Sequence, residues 1–145
     1  MQVFVVGSPL ETAMALDKAR LRKQIIECRQ ILDALNGKKA WSNHPCTLQY
    51  KEHVNWLNLY LWCLECYANG RMEDAQGHSD VAGLARPAFH TEEFFDQMKR
   101  RLYTKNPEHY KQWAELGTSE DNYYWSPTKR AWLIYRNGKL LETIM

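Results

Sequence analysis

Glu27 stands in the middle of LDKARLRKQIIECRQILDAL, residues 16–35, four positions after Lys23 and seven after Arg20. On a helix those offsets are one and two turns, so the carboxylate and both cations share a face. Two readings of that face stay open. It is a surface ladder of ion pairs, each worth roughly a few tenths of a kcal/mol, or it is a carboxylate among cations at the mouth of a cleft. In the second case Glu27 could manage protons and stabilise a developing positive charge. His44, in the Asn-His-Pro unit between two helical segments, either caps the helix that follows or faces the same cleft. Trp41 and the Tyr123-Tyr124-Trp125 run, expected in loops, could stack on unpaired bases, whereas Trp56 and Trp62 sit in an apolar segment and read as core. His53 and His109 read as structural residues of helices.

Capping signals define the elements that must hold these groups. Ser8, Pro9 and Glu11 form a capping box with proline at the first helical position, and Asp17 offers a second start. From there Leu21, Ile25, Cys28, Leu32 and Leu35 repeat at spacings of three and four until Asn36-Gly37 ends the helix. Ahead of it, MQVFVV is a short apolar run that is extended or tucked against the core. After the basic loop GKKAWSN, Pro45 leads a segment from Cys46 to Asn69 that is apolar nearly all round and therefore central, stopped by Gly70. The stretch RMEDAQGHSDVAGLARP predicts loops with a turn or two of helix. Thr91 with Glu92 and Glu93 caps a helix through about Tyr103, and Asn106-Pro107-Glu108 starts another that ends near Gly117. Bulky residues flanking Asn137-Gly138 predict a small terminal hairpin. The expected architecture is all-α: one compact helical domain over residues 1–145, with 128–145 available for a peripheral β-hairpin.

Apolar residues make up 45% of the 145 and charged residues 25%, the balance of a chain that folds around one core. No stretch reaches the roughly 20 apolar residues of a membrane helix, and the opening lacks the basic flank of a signal peptide, so a cytoplasmic protein is expected. Cys28, Cys46, Cys63 and Cys66 read as buried free thiols, since the Cys63/Cys66 pair has no second Cys/His pair at zinc-site spacing. The formal charge is only +2, but the cations are clustered: Lys18, Arg20, Arg22, Lys23 and Arg29, then Lys38 and Lys39, then Lys99, Arg100, Arg101 and Lys105. Such grouping fits an anion-binding face, and each cluster taken singly fits a solvated helix surface equally well.

The combination RLxKQxxExxQIL, W.NHP and NPEHY, with HVNWLNLY between them and YYWSP after them, resembles a group of small bacterial and phage proteins filed with the pyrimidine dimer DNA glycosylases of the endonuclease V type. The resemblance runs from the N-terminus to about Pro127 and leaves the hairpin outside. It implies an all-α protein that binds and kinks damaged duplex DNA and extrudes a base. In that family an N-terminal α-amine attacks the sugar C1′, a Schiff base forms, and β-elimination cuts the strand. By pattern the assisting glutamate is Glu27. An α-amine suits the task because it titrates near pH 8, about two units below lysine. With the large Gln2 in second position the initiator methionine is expected to stay, so the implied amine is that of Met1.

Arg20, Arg22 and Lys23 take the phosphate-contacting role that the resemblance assigns to this helix. Gln24, Lys38, Lys39, Trp41 and His44 complete the expected DNA-binding set. A monomer acting on double-stranded DNA is implied, with no cofactor, metal or membrane. The alternatives are a DNA- or protein-binding module that keeps the scaffold without the chemistry, and a binder of free nucleotides.

Overall fold

The computed structural model describes residues 1–76 and 86–144. The chain divides into two compact units, Met1–Ala88 and Phe89–Met145.

In the first unit an extended segment, residues 2–5, precedes α1 (Pro9–Ala15), α2 (Lys18–Leu35), α3 (Pro45–Gln49), α4 (Val54–Ala68) and α5 (Met72–Gln76). The caps expected for the first two helices are formed: Ser8 Oγ accepts the Glu11 N–H at 3.1 Å, and Asp17 caps α2 through the Arg20 N–H at 3.4 Å. α4 packs against α1, α2 and α5, and Leu57, Tyr60, Cys63 and Leu64 are wholly buried. The segment from Cys46 to Asn69 is two helices rather than one. Tyr50 ends α3, and the His53 N–H turns back to the Tyr50 carbonyl at 2.9 Å. The break leaves Lys51 and Glu52 exposed and sends Tyr50 inward. There its ring stacks on Trp56 at 5.8 Å, and Trp56 stacks on Tyr60 at 5.1 Å. On one unbroken helix Tyr50 and Trp56, six residues apart, would point about 120° away from each other and could not stack. The expected loop region after Gly70 contains α5; its part at 77–85 lies outside the described residues. All four cysteines are buried and free.

The second unit corrects the all-α expectation. α6 (Glu92–Lys105), capped by Thr91 Oγ1 accepting the Phe94 N–H at 3.2 Å, is followed by turns and a short 3-10 helix, Lys111–Leu116, which Gly117 stops at φ 85°. Then come β1 (Asn122–Ser126), β2 (Ala131–Arg136) and β3 (Lys139–Ile144), an antiparallel sheet in sequence order, so the fold is mixed α and β. The β2–β3 hairpin turns at Asn137-Gly138, where φ values of 52° and 78° give the paired positive angles of a type I′ turn. The added strand is the Tyr123-Tyr124-Trp125 run. Its aromatics favour a pleated surface, and pairing Tyr124 with Leu133 and Trp125 with Trp132 gives them cross-strand partners. The β1–β2 connection carries Pro127 and no Asn-Gly signal. Phe94 of α6 stacks on Trp132 at 5.6 Å, which joins the helix to the sheet.

Among the described residues no helix is long and apolar enough to cross a membrane.

Candidate active site at the N terminus

Val3, Phe4 and Val5 are at most 1% exposed, so the segment carrying them is buried backbone and all. A buried extended segment needs partners for its N–H and C=O groups, and among the described residues no strand pairs with this one. Side chains of α2 supply them. Gln24 Oε1 accepts the Phe4 N–H at 2.6 Å, and Gln24 Nε2 donates to the Gln2 carbonyl at 2.8 Å. One turn further along α2, Glu27 Oε2 accepts the Gln2 N–H at 3.3 Å. The Tyr60 hydroxyl bridges in from α4, donating to the Phe4 carbonyl and lying 3.2 Å from Gln24 Oε1. Thr12 Oγ1 takes the Val6 N–H at 3.0 Å, the Val3 N–H reaches the Cys46 thiol, and the Arg20 guanidinium lies over the Phe4 ring, 5.3 Å from its centroid. The segment thus runs antiparallel to α2, with its start at Glu27.

Glu27 is 8% exposed. That is not the setting of a surface ion-pair ladder, and its hydrogen bond ties it to the first peptide of the chain.

The loop before α3 approaches the same end of the segment. His44 is the N-cap: its Nδ1 accepts the Cys46 N–H at 3.0 Å. In the neutral ring the proton therefore sits on Nε2. Burial, and then the Met1 ammonium, hold the imidazole below its ordinary value. Trp41 presents its edge to His44, with ring centroids 5.8 Å apart, and is 48% exposed with φ 65°. The Cys46 thiol is pushed up to about 12, chiefly by burial and further by Glu27, against the lowering effect of the Val3 N–H and the Met1 ammonium. The Met1 amine therefore lies within electrostatic reach of His44 and Cys46, and Glu27 within reach of Cys46.

Arg22 and Lys23 stand exposed on α2, as do Lys38 and Lys39 on the loop, where Lys38 Nζ lies 3.4 Å from Asp33. Arg20 is half-buried over Phe4. Gln24 is fully buried and its amide is spent on residues 2 and 4 and on Tyr60. Arg29 pairs with Glu65 of α4 at 2.8 Å. In the second unit, Arg100 Nε donates to the Leu116 carbonyl at 2.7 Å and Arg101 to that of Glu120, so both hold the chain that follows α6. Tyr60 and Thr12 have roles that sequence reasoning missed. Both lie on helices and mark no motif; only a count of the polar groups the opening segment must satisfy would have asked for them.

No curated protein and no solved structure matches the chain. The family model described as pyrimidine dimer DNA glycosylase matches residues 1–71, which contain the extended segment, α1 to α4 and every group of the site just described. Residues 1–71, just under half of the chain, are thus similar to the pyrimidine dimer DNA glycosylase family.

Proposed function

We propose that the chain is a DNA glycosylase with AP lyase activity that removes a damaged or modified pyrimidine from duplex DNA through its N-terminal amine. One observation carries the reading: a buried carboxylate, Glu27, is hydrogen-bonded to the peptide that follows the amine. The Met1 nitrogen forms a bond to C1′ as the glycosidic C1′–N bond breaks and the base leaves with the bonding pair. The sugar ring then opens, its O4′ takes a proton, and C1′=N is the imine. Loss of a C2′ proton expels the 3′ phosphate and cuts the strand. Glu27 stabilises the positive charge that passes from C1′ to the imine nitrogen. Arg22, Lys23, Lys38 and Lys39 contact phosphates, and Trp41 stacks on a base once it is unpaired. Extrusion costs least at a lesion, where stacking is already weak.

A second reading is a binding module without chemistry. It is favoured by the formal charge of only +2, a small excess for an enzyme that must hold a duplex through several phosphates.

Borohydride trapping on duplexes containing an abasic site or a thymine dimer, read by intact mass, separates the two. An adduct mapped to the N-terminal residue is expected, forming about 10²-fold or more slower with Glu27→Gln. No adduct on either duplex, with duplex binding intact, would leave the module.

A further inference from the structure

We propose that the turn carrying Trp41 is a preformed subsite for an unpaired nucleotide, which makes DNA with a base already out of the helix, as in a bulge, the preferred ligand of the chain. The inference rests on DNA being the ligand under the proposed function. It does not depend on the imine chemistry.

The turn is built at a cost. The Ser42 N–H donates to the Lys39 carbonyl at 3.2 Å, and Trp41, third of the four residues, has φ 65°. That place in a type II turn takes glycine or asparagine, because a larger side chain crowds the backbone there. Among the described residues the chain puts glycine or asparagine at every such left-handed position except Trp41 and Arg130. Burial does not explain the tryptophan, which is 48% exposed where Trp56 is 1% exposed. Its one aromatic neighbour among the described residues is His44, in an edge-on contact at 5.8 Å and 73°, so no ring is stacked on the indole. A large aromatic held at a strained position, half in water, is poised to stack on a group from outside the chain.

Charge selects the occupant. Lys38 and Lys39, just ahead of the ring, are both exposed. Lys39 makes no ion pair among the described residues, and Lys38 has only a 3.4 Å contact with the exposed Asp33. A flat ring beside exposed cations matches the base and the phosphate of a nucleotide. Position agrees, since His44, which Trp41 touches, feels the Met1 ammonium. The turn is also fixed before any ligand arrives, because the His44 N–H holds the Trp41 carbonyl at 3.1 Å. Little ordering cost is then left for binding, and the stacking goes in full to a base that need not first leave its own helix.

The test uses the full chain and fluorescence anisotropy of two labelled duplexes, identical but for one bulged thymine. The bulged duplex should bind about tenfold more tightly. Trp41→Gly, which suits the turn, should bring that ratio close to one, and Trp41→Phe should keep most of it. A purely structural Trp41 would weaken both duplexes alike and leave the ratio. Lys39→Gln should weaken both several-fold and lower the salt dependence by about one counterion. Equal affinity of the unaltered chain for the two duplexes, binding to neither, or a ratio that survives Trp41→Gly would overturn the inference. Failure of the imine reading shows separately: a bulge preference that needs Trp41, with no borohydride adduct, keeps the subsite and removes the chemistry.

Discussion

Replacing Gln24 with leucine should release the opening segment, because that segment is balanced on its side-chain hydrogen bonds. Burying Val3, Phe4 and Val5 contributes about 1.5–3 kcal/mol each, roughly 4–9 kcal/mol together. Ordering residues 1–5 costs about 1–2 kcal/mol per residue of backbone entropy, roughly 5–10 kcal/mol. The two nearly cancel, so Gln24, Glu27, Tyr60 and Thr12 decide whether the segment docks. Gln24→Leu removes the acceptor of the Phe4 N–H and the donor to the Gln2 carbonyl. Two lost bonds, with the desolvation of groups left without partners, amount to about 2–3 kcal/mol. At ~1.4 kcal/mol per factor of ten that is about 10²-fold in the opening equilibrium. Hydrogen exchange reads it directly: the Phe4 amide and the Val6 amide, which Gln24 does not touch, should both lose about 10²-fold protection, while amides in the middle of α4 change much less. Under the proposed function imine trapping should fall in parallel, since the peptide that follows the amine is then no longer held at Glu27. A Gln24→Leu protein that keeps wild-type protection at Phe4 and Val6 would refute the reasoning.

Two further outcomes test the surroundings of the site. His44 and His53 are both held below the ordinary imidazole value, chiefly by burial. Between that ordinary value and the lower folded one the unfolded chain binds more protons, so the stability of the first unit should fall as pH drops through about 6.5 and then level off. His44→Asn keeps an acceptor for the Cys46 N–H and removes part of the slope, leaving the share of His53; equal slopes in urea unfolding between pH 5 and 8 would count against the His44 environment. Burial pushes the Cys46 thiol up to about 12 and that of Cys63 to about 11. Both should resist a thiol-specific disulfide reagent at pH 8 until urea unfolds the chain, and prompt stoichiometric labelling of the native protein would contradict that.

Local chemistry was legible wherever one residue type solves one backbone problem. Ser8, Asp17 and Thr91 cap the helices they were expected to start, and Asn137-Gly138 turns the hairpin, because each need lies within four residues of its solution. The break at Tyr50 and the strand at Tyr123–Trp125 were not legible. Each depends on an aromatic partner elsewhere in the chain, Trp56 and Tyr60 in one case and β2 in the other. An aromatic run reads the same in a loop as in a strand until its pairing is known.

The site shows the same boundary more sharply. Glu27 could be placed on a helix face with Arg20 and Lys23 by counting, but whether that face met water or chain depended on residues 20 to 25 positions earlier. Gln24 and Glu27 are one turn apart and both buried, a polar pair that an ordinary helix-packing face would not retain. Read together with MQVFVV, which is too apolar to stay in water and too short to form a hairpin, the pair implies its own answer: it receives a backbone. The carboxylate that ends that ladder accepts the Gln2 N–H. The same packing that satisfies the segment therefore ties the first peptide of the chain to an acidic group, and under the proposed function fold stability and chemistry at this site should fail together when Gln24 is lost.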